Sequence, residues 1–138
     1  MAAIVATPAG RLVTFRVISP LEDANAARAA ADLRRAIASI EGQAIVCTDV
    51  TQARTLAPTT ADAFVRAMRA DNPKIERSAI YLGAQSATFL MQLERMIREA
   101  ASAARRTFRD PVELQAWLGP LLNEAEQEAL REFIAGAA

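Results

Sequence analysis

At 138 residues the chain is long enough for one domain with a full apolar core, and 52% of it is hydrophobic. Sixteen basic and sixteen acidic residues cancel, so no net field favours nucleic acid or an anionic membrane surface. With no histidine and a single cysteine, Cys47, a Ser-His-Asp or Cys-His unit, a usual zinc site and an internal disulfide are all excluded.

Two apolar runs, Ile4 to Thr7 and Leu12 to Ile18, flank Pro8-Ala9-Gly10-Arg11, a turn sequence that predicts a hairpin. Alternation in the second run puts Val13, Phe15 and Val17 on one face. Ser19-Pro20-Leu21-Glu22 reads as a helix start, with Ser19 as cap and Pro20 at the first helical position. That helix is expected to bury Ala26, Ala30, Leu33, Ile37 and Ile40 and to end at Gly42. Ala44-Ile45-Val46-Cys47 is apolar at consecutive positions, the mark of a strand covered on both faces.

A loop from Thr51 to Pro58 leads to a helix starting at Thr59-Thr60-Ala61-Asp62, carrying Phe64, Val65 and Met68 and stopping near Asn72-Pro73. Ser78 to Gly83 is the next strand. Ser86 to about Ala103 is a helix whose face holds Phe89, Leu90, Leu93, Met96, Ile97 and Ala100. A short charged strand around Thr107-Phe108 suits a sheet edge, and the helix from Pro111 presents Leu114, Trp117 and Leu118. Asn123 followed by Glu126 is a capping box opening a tail helix with Leu130, Phe133 and Ile134 on one face.

The order β-β-α-β-α-β-α-β-α predicts an α/β domain over residues 1–122, with a mixed, mostly parallel sheet flanked by helices. Residues 123–138 form an added amphipathic helix that must be covered by its own domain, by a second copy or by another protein.

This layout resembles the STAS superfamily (sulfate transporter and anti-sigma-factor antagonist), in particular its SpoIIAA-like, or STAS/SEC14-like, branch. The resemblance spans roughly residues 4–122. Its carriers are Ile45-Val46-Cys47-Thr48-Asp49-Val50-Thr51, the strand Ala79-Ile80-Tyr81-Leu82, and Phe108 with Leu114, Ala116, Trp117 and Leu118. It implies a non-enzymatic module that binds a protein partner, in antagonists switched by phosphorylation of a serine at the start of the second helix. Here Asp49-Val50-Thr51 and then Ala57-Pro58-Thr59-Thr60 stand where antagonists carry Asp-hydrophobic-Ser and Asp-Ser-Ser-Gly. The neighbouring acid and glycine are absent. The resemblance makes Asp49, Thr51, Arg54, Thr59 and Thr60 the partner-binding loop and Thr59 the candidate phosphorylation site. A helix N-terminus would stabilise that charge. The alternative role for Thr59 or Thr60 is plain capping, supported by Asp62 or Asp49.

The SEC14-like members imply a second function, carriage of a small apolar ligand. It requires a cavity between helices and sheet lined by residues such as Phe64, Met68, Phe89 and Met96, which serve equally as core filler. Gly83-Ala84-Gln85-Ser86 sits where phosphate loops sit but has one glycine and no lysine, so an ordinary strand–helix turn is expected. Cys47 reads as a buried inert thiol, and Asp49 as a loop organiser bonded to Thr51 or to backbone.

Arginines cluster at Arg34-Arg35, at Arg66 with Arg69, and at Arg105-Arg106 with Arg109. Pairs such as Asp62–Arg66, Glu94–Arg98 and Arg95–Glu99 are expected to settle much of that charge along helix faces. Lys74 is the only lysine, a bias that suggests a bacterial, GC-rich source. Met1 to Val5 lacks a charged n-region and no apolar run nears ~20 residues. A cytoplasmic protein without membrane insertion, metal, cofactor or enzymatic activity is the expectation.

Overall fold

The computed structural model describes residues 3–18 and 20–137. A five-stranded sheet has the strand order β1-β2-β3-β4-β5, so each strand pairs with its neighbour in sequence. β1 (Ala3–Ala9) and β2 (Leu12–Ile18) form the antiparallel hairpin, turning at Gly10-Arg11. β3 (Ala44–Gln52), β4 (Ile75–Tyr81) and β5 (Arg105–Phe108) then join in parallel. Pro8 falls where the β1 register shifts, between Ala6 and Ala9; an edge strand tolerates the missing N–H there. β5 pairs only with β4, as its charge suggested.

Helices cover both faces. α1 (Asp23–Ser39), α2 (Pro58–Asp71) and α3 (Ala87–Ala100) lie on the face that carries Phe15, Val17, Val50 and Ile80. The other face carries Leu12, Ile45, Cys47, Ala79 and Phe108 under α4 (Pro111–Leu118) and α5 (Glu124–Ala135). Covering on both sides explains why Ala44, Ile45, Val46 and Cys47 are all at most 2% exposed despite pointing alternately up and down.

Local chemistry sets most element starts. Ser86 Oγ accepts the Phe89 N–H and caps α3, and Asp110 accepts the Val112 N–H ahead of Pro111 at the start of α4. Asn123 and Glu126 close the expected capping box of α5.

Two helix starts differ from expectation. α1 begins at Asp23 after Glu22, with no side-chain cap, so Pro20 precedes the helix; the expected cap Ser19 lies outside the described residues. α2 begins at Pro58 after Ala57, so Thr59 and Thr60 lie in its first turn and cap nothing. A proline at the first helical position needs no N–H partner, which moves the start one residue earlier. Of the three helical ion pairs expected, only Arg95–Glu99 closes, at 3.1 Å. Exposed pairs at that spacing stabilise a helix only slightly, so their side chains are free to stay solvated.

α5 packs on its own domain. Leu130 is 1% exposed and Ile134 is buried, both against Leu12, Ile45, Leu114 and Leu118. Its first turn is tied to the hairpin through buried Glu126, which accepts the Arg11 N–H at 2.7 Å while bonding Asn123. Gly10 is required there, because a Cβ would lie 2.2 Å from Glu126 Oε2. Near the other end, the Arg16 guanidinium stacks 4.3 Å from the Phe133 ring centroid and donates to the Phe133 carbonyl.

Candidate functional site

Between the sheet and α1–α3 the side chains leave a cavity of about 100 Å³. Its wall is almost wholly apolar and includes Phe64, Met68, Phe89 and Met96, the residues named from sequence as candidate lining. The space has a local cause. Ala30 on α1 and Ala67 on α2 face Thr48 on β3 and Ser78 on β4, so small side chains meet where leucine or phenylalanine would close the gap. Thr48 is on the central strand of a sheet covered on both faces, yet it keeps accessible surface. That surface is cavity wall. The space is partly open to the surface and, at about 100 Å³, is smaller than the roughly 150 Å³ apolar cavities that admit benzene, so it suits a molecule of only a few heavy atoms.

One end of the cavity is charged. Asp71, the last residue of α2, is 5% exposed and lines it, as does Arg105, the first residue of β5. Arg105 is held in place: it donates to Asn72 Oδ1 and, at 3.1 Å, to the Met68 carbonyl. The Asp71 carboxylate forms no hydrogen bond and no close ion pair among the described residues. Burial pushes its carboxyl above the usual range, opposed by the fields of Arg34 and Arg105. Burial likewise lowers Arg105, and Asp71 opposes that. The sequence reading missed this pair, whose members lie far apart in the chain. The only signal was an acid ending a helix and a basic edge strand, and neither reveals that they share a void.

The loop residues named from sequence do not converge into one site. Asp49 is not in the loop but inside β3, which runs on to Gln52, and its side chain faces the α5 side of the sheet. It is 2% exposed, accepts from Arg16 Nε at 2.8 Å and from the Thr51 backbone N–H at 2.9 Å. The expected bond to Thr51 is therefore present, and Arg16 is the partner sequence reasoning missed. Parallel pairing of β2 with β3 puts Arg16 directly beside Asp49. The Thr51 hydroxyl is buried without a hydrogen-bond partner, and Thr51 packs so near Gly83 that a Cβ there would lie 2.9 Å from its methyl carbon.

The segment carrying Arg54 is held from α3 and the turn before it. Gln92 both donates to and accepts from the Leu56 backbone at 2.8 Å, while the Gln85 amide reaches the Val50 and Ala53 carbonyls. That is the structural use of Gly83-Ala84-Gln85-Ser86. Arg54 and Thr59 are exposed, whereas Thr60 is 2% exposed and donates to Asp23 at the start of α1. Thr59 Oγ lies 3.4 Å from the same carboxylate. The acid beside these threonines is thus Asp23, not Asp62 or Asp49. Comparison with protein-family models, curated proteins and solved structures finds no match for the chain.

Cys47 is fully buried on the α5 side of β3. Burial raises its thiol far above the ordinary value, the Asp49 carboxylate adds to this, and Arg16 opposes it. A thiol so held stays protonated and is a poor nucleophile. Among the described residues, no group of acidic or cysteine side chains could hold a metal ion, and no helix is long and apolar enough to cross a membrane.

Proposed function

We propose that the protein binds a small, largely apolar molecule between its sheet and α1–α3, as the SEC14-like members of the STAS superfamily would suggest. The cavity carries this reading: four small side chains from four different elements keep it open where one larger residue would fill it. The mixed sheet with helices on both faces is compatible with that superfamily. Binding would be driven by apolar contact, with the ligand replacing dispersion partners that the wall lacks.

Thr48→Ile tests it. The larger side chain is expected to project into the void, raise stability by about 1 kcal/mol, and remove a small-molecule adduct seen by native mass spectrometry of gently purified wild type. A wild-type protein of bare mass that also shows no binding of small apolar compounds would overturn the reading.

A second reading, an interaction module of the antagonist type, is favoured by the largely exposed segment from Arg54 to Thr59, tied to Gln92 at Leu56. Phosphate on Thr59 would meet the Asp23 carboxylate and loosen the contact between α1 and α2, which gives a switch its physical basis. Thr59→Glu combined with Arg54→Glu is expected to weaken capture of a protein partner by at least about tenfold, read by quantitative pull-down. Unchanged capture would count against this surface.

A further inference from the structure

The charged end of the cavity limits what can fill it. Asp71 is 5% exposed, its carboxylate accepts no hydrogen bond among the described residues, and it lines the cavity beside Arg105 in a mostly apolar wall. Its oxygens keep their small accessible surface at the cavity, so whatever fills that space decides whether the carboxylate meets a donor. Arg105, fixed by Asn72 and the Met68 carbonyl, stands at the same end with further N–H groups to offer.

Resting on the reading of the cavity as a ligand site, we infer that it takes an apolar molecule ending in a single hydroxyl group, which donates to Asp71 and lies beside Arg105. Charge chooses the hydroxyl over its rivals. Asp71 and Arg105 offset one another at the cavity, while Arg34, whose field also acts on Asp71, is exposed and has its charge compensated by solvent. A carboxylate head would set a second anion against Asp71, and an ammonium head a second cation against Arg105. Either would leave an extra charge in a poorly hydrated site. A hydroxyl adds no charge, supplies the missing donor and keeps its own acceptor capacity for Arg105. A plain hydrocarbon would cover the remaining accessible surface of Asp71 and give it no donor.

Calorimetric titration of the full chain with 1-butanol, methyl propyl ether and butanoate, small enough for a cavity of about 100 Å³, tests this. The ether retains the oxygen acceptor and loses the donor, and it is the more apolar of the two neutral compounds. 1-Butanol is expected to bind about tenfold more tightly than the ether, as a hydrogen bond to a charged acceptor warrants, and more tightly than butanoate. In Asp71→Asn, which keeps shape and an acceptor but not the charge, the gap between alcohol and ether is expected to narrow to about threefold.

Equal affinities for alcohol and ether would overturn the hydroxyl assignment while leaving the cavity reading intact. Tightest binding of butanoate would overturn it in favour of an anion site at Arg105. Failure of all three to bind would overturn the cavity reading itself. The three ligands are compared on unaltered protein, so the outcome does not depend on whether the variant folds.

Discussion

Asp49→Ala is expected to destabilise the protein by about 3 kcal/mol, because it strands one member of a buried ion pair. Asp49 is 2% exposed; it holds Arg16 Nε at 2.8 Å and the Thr51 N–H at 2.9 Å. Alanine leaves both donors without their acceptor. The Arg16 side chain is 25% exposed, so water recovers part of the loss and the lower end of the range for buried pairs applies. Arg16 also grips α5 through the Phe133 carbonyl and ring, so the effect should spread to that helix.

Asp49→Asn keeps an acceptor for Thr51 and nearly the same shape, and should cost about half as much. Urea unfolding of the two variants distinguishes the terms. A loss below about 1 kcal/mol for the alanine variant, at unchanged denaturant slope, would show that the pair contributes little. Because this carboxylate faces α5 rather than the cavity, ligand binding should change far less than stability.

Leu130→Ala is the second large effect, expected at about 3 kcal/mol. Leu130 is 1% exposed and packs with Leu12, Ile45, Leu114 and Leu118. Removing its branch leaves a hole between α5 and a sheet whose strands have little freedom to collapse inward. Met91→Ala is the natural control: Met91 is 71% exposed on α3, and the same kind of truncation there should stay within about 0.5 kcal/mol. Chemical denaturation of both variants reads the contrast. If α5 left the domain in solution to cover a partner, the Leu130 variant would lose little stability and would shift the oligomeric state instead.

Much of this molecule is local in origin and was legible for that reason. Strand and helix order follows from residues within a few positions of each other: the alternation of Val13, Phe15 and Val17, the consecutive apolar run before Thr48, the capping box at Asn123 and Glu126. Where a local signal failed, another local signal had prevailed, as when Pro58 rather than Thr59 opened α2. The site was less legible. Phe64, Met68, Phe89 and Met96 were rightly placed together on the inner side of their helices, but the same four residues serve a filled core or an open one. Asp49 was singled out with its bond to Thr51, without the arginine that neutralises it.

By itself, then, the chain determined a mixed α/β sheet covered on both faces, and its composition left no histidine and no cysteine pair for an internal disulfide. Tertiary structure alone decided that Arg16 meets Asp49, that α5 closes over Leu12 and Ile45, and that Asp71 and Arg105 share the end of a void. The physical reason is range. Helix and strand periodicity is set over a few residues, whereas a cavity is a small difference between volumes contributed by elements far apart in the chain. The small size of Ala30, Thr48, Ala67 and Ser78 is plain in the sequence; that they face one another becomes visible only after folding.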